Sequence, residues 1–170
     1  MGVSGSGKTT VGRSLAARLD CDFLEGDRRH PSTNITKMAG GIALQDSDRH
    51  QWLLAIAQDL QHAVTHQRET IITCSALKQS YRQQLTIVEQ VQLVWLSVPR
   101  AELQQRLRQR PNHYMSDTLL ESQLNAFEPP TASENMIQVN GTLPPQTIVD
   151  NILTQTIRRY PTFSMQWWNR

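Results

Sequence analysis

The sequence predicts an α/β fold in which helices flank a parallel sheet, and three observations carry that expectation. Residues Gly2-Val3-Ser4-Gly5-Ser6-Gly7-Lys8-Thr9 fill the phosphate-loop pattern G-x-x-x-x-G-K-[ST] at every fixed position. Short apolar runs then alternate with segments of helical periodicity, as crossover-linked parallel strands require. Clusters of charged residues follow the apolar runs directly, and in open parallel sheets ligands bind beyond the carboxyl ends of the strands.

The elements follow in chain order. Glycines let the opening loop curl so that successive backbone N–H groups point inward at a phosphate chain. Residues 8–19 read as a helix with Val11, Leu15 and Leu19 on one stripe. Phosphates held by Gly2–Thr9 and the following Thr10 would therefore meet the positive N-terminus of that helix. Lys8 supplies a point charge near the β- and γ-phosphates, and the Thr9 hydroxyl is placed for Mg²⁺. Strands are expected over Cys21–Leu24, Thr70–Cys74, Val91–Val98 and Met136–Val139. Further helices are expected over 47–66, 78–88, 100–110, 117–126 and 145–159. The helix at 47–66 carries Leu53, Ile56, Leu60 and Val64 on one face, with Asp46 before it as N-cap. The helix at 100–110 keeps Leu103 and Leu107 on its buried stripe. The tail after Pro161, with Trp167 and Trp168, has no usable periodicity.

Composition narrows the function. A chain of 170 residues has one domain's length and enough material for a core. A net charge of +2 with interspersed signs excludes a nucleic-acid-coating surface but permits small anionic substrates. No apolar run is long enough to span a bilayer, and no signal-peptide pattern is present. Cys21 and Cys74 lie far apart without metal-ligand spacing, so they read as buried thiols of a cytoplasmic protein. Met1-Gly2 with Ser6 also fits an N-myristoylation pattern, but an acyl chain on Gly2 would fill the phosphate site itself.

Four clusters carry the chemistry. In "LEGDRRHP", residues 24–31, Asp27 should lie across the cleft from the phosphate loop, where a carboxylate can orient a hydroxyl or accept its proton. Glu25 would reach the hydration shell of Mg²⁺, and His30 is either a substrate contact or a packed ring. In "NITKMAGGIALQDSDRHQWL", residues 34–53, Lys37, Arg49, Asp46 and Asp48 are candidates for a polar substrate site. Arg49 sits in a first helical turn, where the macrodipole disfavours a cation, which suggests an anionic ligand. In "CSALKQSYR", residues 74–82, Lys78 and Arg82 stand one helical turn apart and can face one bound anion. In "RLRQRPNHYM", residues 106–115, Arg106 and Arg110 share a helix face that Pro111-Asn112 terminates, as a closing lid needs.

Taken in series, "GVSGSGKT", "GDRRHP", "NITKM", "LQDSDRHQWL", "CSALKQSYR" and "RLRQRPNHYMSDTLLESQLNAFEPP" resemble the gluconokinase family over essentially the whole chain. The resemblance implies a P-loop kinase fold with a five-stranded parallel sheet in order 2-3-1-4-5, and a lid over about 106–126. It also implies ATP with Mg²⁺, D-gluconate as small-molecule substrate, 6-phosphogluconate as product and a homodimer. Lys8, Asp27, Arg106 and Arg110 are then the catalytic candidates, and Asp27, His30, Arg49, Lys78 and Arg82 the substrate-side ones. Two features depart from the family: Asn112-His113-Tyr114 stands where Gly-His-Phe is usual, and "VNGTLPP", residues 139–145, replaces a more acidic stretch. Two rival readings are a kinase of another polyol acid such as shikimate, and a nucleotide-binding fragment without turnover.

A phosphate loop is launched by a buried strand, and one residue precedes Gly2. The expectation is that Met1 is an internal methionine and that the family's first, central strand lies upstream of it. Leaving its place empty would expose helix faces at a cost of roughly 25 cal/mol per Å² of apolar area. Reading the gene upstream in frame should reveal a short apolar, β-branched run. A stop codon immediately upstream, together with a folded and active chain, would contradict this.

Overall fold

The computed structural model describes residues 1–87, 90–109 and 117–161, with only the backbone of 117 and 118. Four strands and seven α-helices alternate among these residues: α1 (Lys8–Leu19), β1 (Asp22–Glu25), α2 (Ser32–Ala39), α3 (Asp46–Thr65), β2 (Thr70–Thr73), α4 (Gln79–Leu85), β3 (Val94–Ser97), α5 (Arg100–Arg108), α6 (Asp117–Ala126), β4 (Ile137–Asn140) and α7 (Pro145–Arg159). Short 3₁₀ turns cover Gly26–Arg29 and Ala132–Glu134. Among the described residues no helix is long and apolar enough to cross a membrane.

The α/β class is as expected, and among the described residues the strands form two separate parallel pairs. β1 pairs with β2 in parallel, Asp22 opposite Thr70, and β3 pairs with β4 in parallel, Val94 opposite Ile137. Met1 and Gly2 lie between the pairs. The Met1 backbone nitrogen donates to the Val94 carbonyl, the Leu96 N–H donates to the Met1 carbonyl at 3.0 Å, and the Gly2 N–H donates to the Ser75 carbonyl at 3.3 Å. Beyond these residues β2 and β3 line a cavity of about 640 Å³, walled by Val11, Leu15, Ile56, Leu60, Ile72 and Leu96 among others.

Apolar periodicity builds the core around it. Val11 and Leu15 of α1 pack with Leu96, Ile137 and Val139 of the second pair and with Ile148 and Ile152 of α7. Each such side chain, fully buried, contributes about 1.5–3 kcal/mol. A second cluster joins Trp52, Leu53 and Ile56 of α3 to Cys74, Tyr81 and Leu85. A third joins Val3 of the phosphate loop to Leu77, Leu103, Leu107 and Leu120, fixing α5 and α6 against the loop. Both thiols are free; burial pushes Cys74 up to about 12 and half-buried Cys21 up to about 11, so neither is a nucleophile near neutral pH.

The N-cap of α3 is Gln45, not Asp46: the Gln45 side chain and Asp48 form a reciprocal capping box. Asp46, one residue further in, instead accepts from Lys78 at 2.7 Å and from the Tyr81 hydroxyl. Helix α2 was not anticipated, and its eight residues explain why: Thr, Asn and Ile are weak helix formers and Pro31 sets the N-cap.

Arg82 is a tie within the fold. Its side chain is 1% exposed and forks onto Glu134, Nη2 to Oε1 at 2.9 Å, while Nη1 donates to the Leu77 and Glu128 carbonyls at 3.1 and 2.9 Å. The hydrogen bonds from Arg82 hold the Glu134 carboxyl below its ordinary value. A depressed carboxylate contributes stability above its unfolded pKa and loses it as pH falls through the folded value. Arg82→Met should therefore cost about 1–3 kcal/mol in urea unfolding, by removing the forked pair with Glu134 and leaving the Leu77 and Glu128 carbonyls without their donor. Glu134→Gln should weaken the loss of stability on acidification below the ordinary carboxylate range. Parent-like unfolding of Arg82→Met would show that the pair is not structural.

Candidate active site

The phosphate loop has the backbone its glycines permit. Gly5 and Gly7 take φ of 82° and 91°, left-handed values that L side chains adopt only under strain. Gly7 caps α1, so the loop's N–H groups and the helix N-terminus converge as an anion cradle. The Ser6 hydroxyl oxygen is buried with no hydrogen-bond partner among the described residues and packs beside the Gly2 backbone. Lys8 follows, with its ammonium on the Val3 carbonyl at 3.1 Å. Thr9 and Thr10 open α1. These residues fit a nucleotide triphosphate and a metal at Thr9. Arg106 lies beside the cradle, where a Cβ added at Gly7 would sit 3.9 Å from an Arg106 nitrogen. It is held there by Glu102 at 2.8 Å and the Gly141 carbonyl at 2.9 Å.

Next to the loop a cavity of about 360 Å³ is lined by Ser4, Lys8, Asp27, His30, Arg49 and Gln123 among others. Close packing sets Asp27 there. A Cβ on Gly26 would sit 2.1 Å from the Thr73 carbonyl oxygen, so only glycine lets the turn after β1 press against the end of β2. The Trp52 indole then donates to the Gly26 carbonyl at 2.8 Å and stacks on His30 at 4.5 Å between ring centroids. Asn34, 2% exposed, donates to the Asp48 carbonyl at 2.7 Å and lies 3.3 Å from His30 Nδ1. Burial holds the His30 imidazole below its ordinary value, with the Asp27 charge opposing and the Arg49 charge assisting. A carboxylate, a largely neutral imidazole and a guanidinium thus line one cavity with the Lys8 ammonium. That set can hold an anionic polyol and take a proton from it.

Comparisons with known proteins agree with this geometry. A family model described as an AAA domain matches residues 1–130. The gluconokinase of Gluconobacter oxydans (strain 621H) is 41% identical over 154 residues, covering 90% of this chain and 86% of that protein. The thermosensitive gluconokinase of Escherichia coli (strain K12) is 42% identical over 139 residues, covering 81% and 74%. The crystal structure of a gluconokinase from Sinorhizobium meliloti 1021 superposes with a TM-score of 0.86 at 36% identity, covering 98% of this chain and 94% of that one. The chain belongs to the gluconokinase family. Membership makes it a P-loop kinase, a phosphotransferase that uses a nucleoside triphosphate.

Within this gluconokinase fold, the substrate-side candidates separate. Asp27, His30 and Arg49 meet at the cavity, and Arg49 also lies 5.9 Å from the Tyr81 ring centroid. Lys78 and Arg82 do not share an anion as their spacing suggested. Lys78 is the residue before α4 and pairs with Asp46, whereas Arg82 is turned inward onto Glu134. Lys37 pairs with Asp48 at 2.6 Å, and Glu25 accepts from the Thr73 hydroxyl. Arg110 and Asn112–Tyr114 of the lid lie outside the described residues, as do Trp167 and Trp168. Sequence reasoning passed over Asn34, Trp52, Ser75 and Gln123. For Trp52 the sequence carried a signal: a large aromatic one residue from Leu53 on an apolar face.

Lys8→Met should lower phosphoryl transfer at least about 10²-fold while circular dichroism and thermal unfolding stay close to the parent, because the ammonium serves the loop and not a core cluster. Turnover within a few fold of the parent would remove Lys8 from the transferring phosphate.

Proposed function

We propose that this chain phosphorylates D-gluconate with ATP to give 6-phospho-D-gluconate, acting as one kinase domain over 1–170 with its lid at about 106–126. The observation that carries the proposal is the cavity that places Asp27, His30 and Arg49 beside Lys8 of the phosphate loop. The relatives' gluconokinase names support the choice of acceptor. In this reading the loop N–H groups of Gly2–Thr10 and the Lys8 ammonium hold the β- and γ-phosphates. Arg49 takes the gluconate carboxylate, and His30, neutral and stacked, orients a hydroxyl. Thr9 would hold Mg²⁺, which when bound neutralises charge on the β- and γ-oxygens.

The C6 hydroxyl oxygen forms its bond to the γ-phosphorus as the bond from that phosphorus to the β–γ bridging oxygen breaks. The electron pair leaves with ADP, and the hydroxyl proton passes to Asp27. Charge on the transferring group is met by Lys8 and by Arg106 beside Gly7, with Arg110 as the lid's second cation. Such chemistry draws its rate from positioning and charge stabilisation, so several cations on a small protein are in keeping with it. Family membership also supports a cytoplasmic homodimer.

Asp27→Asn keeps the shape of the carboxylate and removes its proton-accepting charge. It should lower kcat with gluconate by about 10²–10⁴-fold. An independent ATP titration should change little, since the phosphate loop lies on the other side of the cavity. Unchanged kcat would take Asp27 out of the reaction. A loss of nucleotide affinity with kcat intact would place it on the metal or in a structural turn.

A further inference from the structure

The walls of the acceptor cavity are unequal in what they can offer a polyol. α2 and the segment after it contribute Ile35, Met38, Ile42 and Leu44, whose apolar side chains carry no hydrogen-bond donor and, in the Met38 thioether, only a weak acceptor. The hydroxyls of a sugar acid must therefore be met by a short set of polar side chains. On the α6 side that set is Ser122 and Gln123. Gln123 already has one contact that fixes its orientation: its Oε1 accepts from the Ser4 N–H at 2.7 Å. A backbone N–H can only donate, so the carboxamide oxygen must face the loop, and its two N–H donors lie on the other branch. Leu120, one turn earlier on α6 and fully buried against Val3 and Leu103, holds the helix at this distance from the loop. The choice of an amide also has a chemical reason. A glutamate would accept the Ser4 bond more strongly, but it would set a negative charge beside the phosphates.

We propose that Gln123 is a specificity-determining residue for the acceptor: its oxygen keeps the Ser4 N–H while its NH₂ group donates to one hydroxyl oxygen of the bound polyol acid. This rests on the phosphoryl-transfer reading above and adds to it a residue on the lid side of the cavity. A site built to hydrogen-bond a hydroxyl discriminates against the analogue that lacks it, because the site's own polar group is left unpaired.

The test compares the parent, Gln123→Met and Gln123→Glu with gluconate and with its 2-, 3-, 4- and 5-deoxy analogues, alongside nucleotide titration. Gln123→Met should lower kcat/KM for gluconate at least about tenfold, with nucleotide affinity within about twofold. One deoxy analogue should lose about that factor in the parent and lose almost nothing further in Gln123→Met. Gln123→Glu keeps an acceptor for Ser4 and replaces the donors by a second acceptor oxygen, so the hydroxyl must turn from accepting to donating and the discrimination at that one position should change from the parent's; the ratio is internal to each variant, so an added charge near the nucleotide cancels. It also serves if Gln123→Met does not fold. Equal discrimination in parent and variants would overturn the proposal and leave Gln123 as a tie between α6 and the loop. A parent that fails to phosphorylate gluconate would overturn the acceptor reading along with it.

Discussion

The placement of the phosphate loop rests on the backbone hydrogen bonds of Met1 and Gly2. On one side they reach Val94 and Leu96 of β3, and on the other Ser75 just past β2. Two parallel pairs that make no ladder with each other are thereby held to a common origin, and the loop starts at the carboxyl ends of both. From there the order of events is set by chain geometry. Left-handed Gly5 and Gly7 turn the loop into α1, Val3 packs under α5 and α6, and the acceptor cavity opens between the loop and the turn after β1. A phosphate loop without this anchorage would still have its glycines but not a defined distance to Asp27.

Charge is distributed in keeping with that arrangement. Lys37, Lys78, Arg29 and Arg68 pair with Asp48, Asp46, Asp59 and Asp22 in partly exposed ion pairs. Pairs of that kind are each worth about 0–1 kcal/mol, so they shape the surface more than they stabilise it. Arg82 is different, being buried and bonded to Glu134 and to the Glu128 carbonyl of the segment following α6. Arg49 lies over Tyr81 and lines the cavity, in a first helical turn where its charge is disfavoured. The Asp46 and Asp48 charges of the same turn and the Tyr81 ring offset that cost, and an anionic ligand in the cavity would add a further partner.

The reach of sequence reasoning followed the range of the interactions involved. Helices α1, α6 and α7 lie where periodicity puts them, since an apolar stripe and a terminating Pro or Asp20 are local signals. The strands are each within a few residues of expectation for the same reason. Helix α2 was missed because its residues have weak intrinsic preference and its stability comes from Asn34 reaching Asp48. Lys78 and Arg82 were read as one anion site because spacing gives a helix face but not what covers it. The partner that buries Arg82 is 52 residues away. Gln123 meets Ser4 across 119 residues, a relation that no local pattern encodes. Asp27 was expected in the cleft because it follows a strand, where an open parallel sheet puts its ligands, and the structure does bring it to one cavity with Lys8 and Arg49.

The central claim is that the cavity beside Lys8 holds a sugar acid whose terminal hydroxyl receives the γ-phosphoryl. Phosphorus NMR of a reaction of the protein with ATP, Mg²⁺ and gluconate reads this directly. The account predicts a new phosphomonoester resonance coupled to the two C6 methylene protons, growing in step with ADP. ADP formed without any phosphoester of gluconate, or transfer to shikimate in a parallel reaction while gluconate stays untouched, would contradict it.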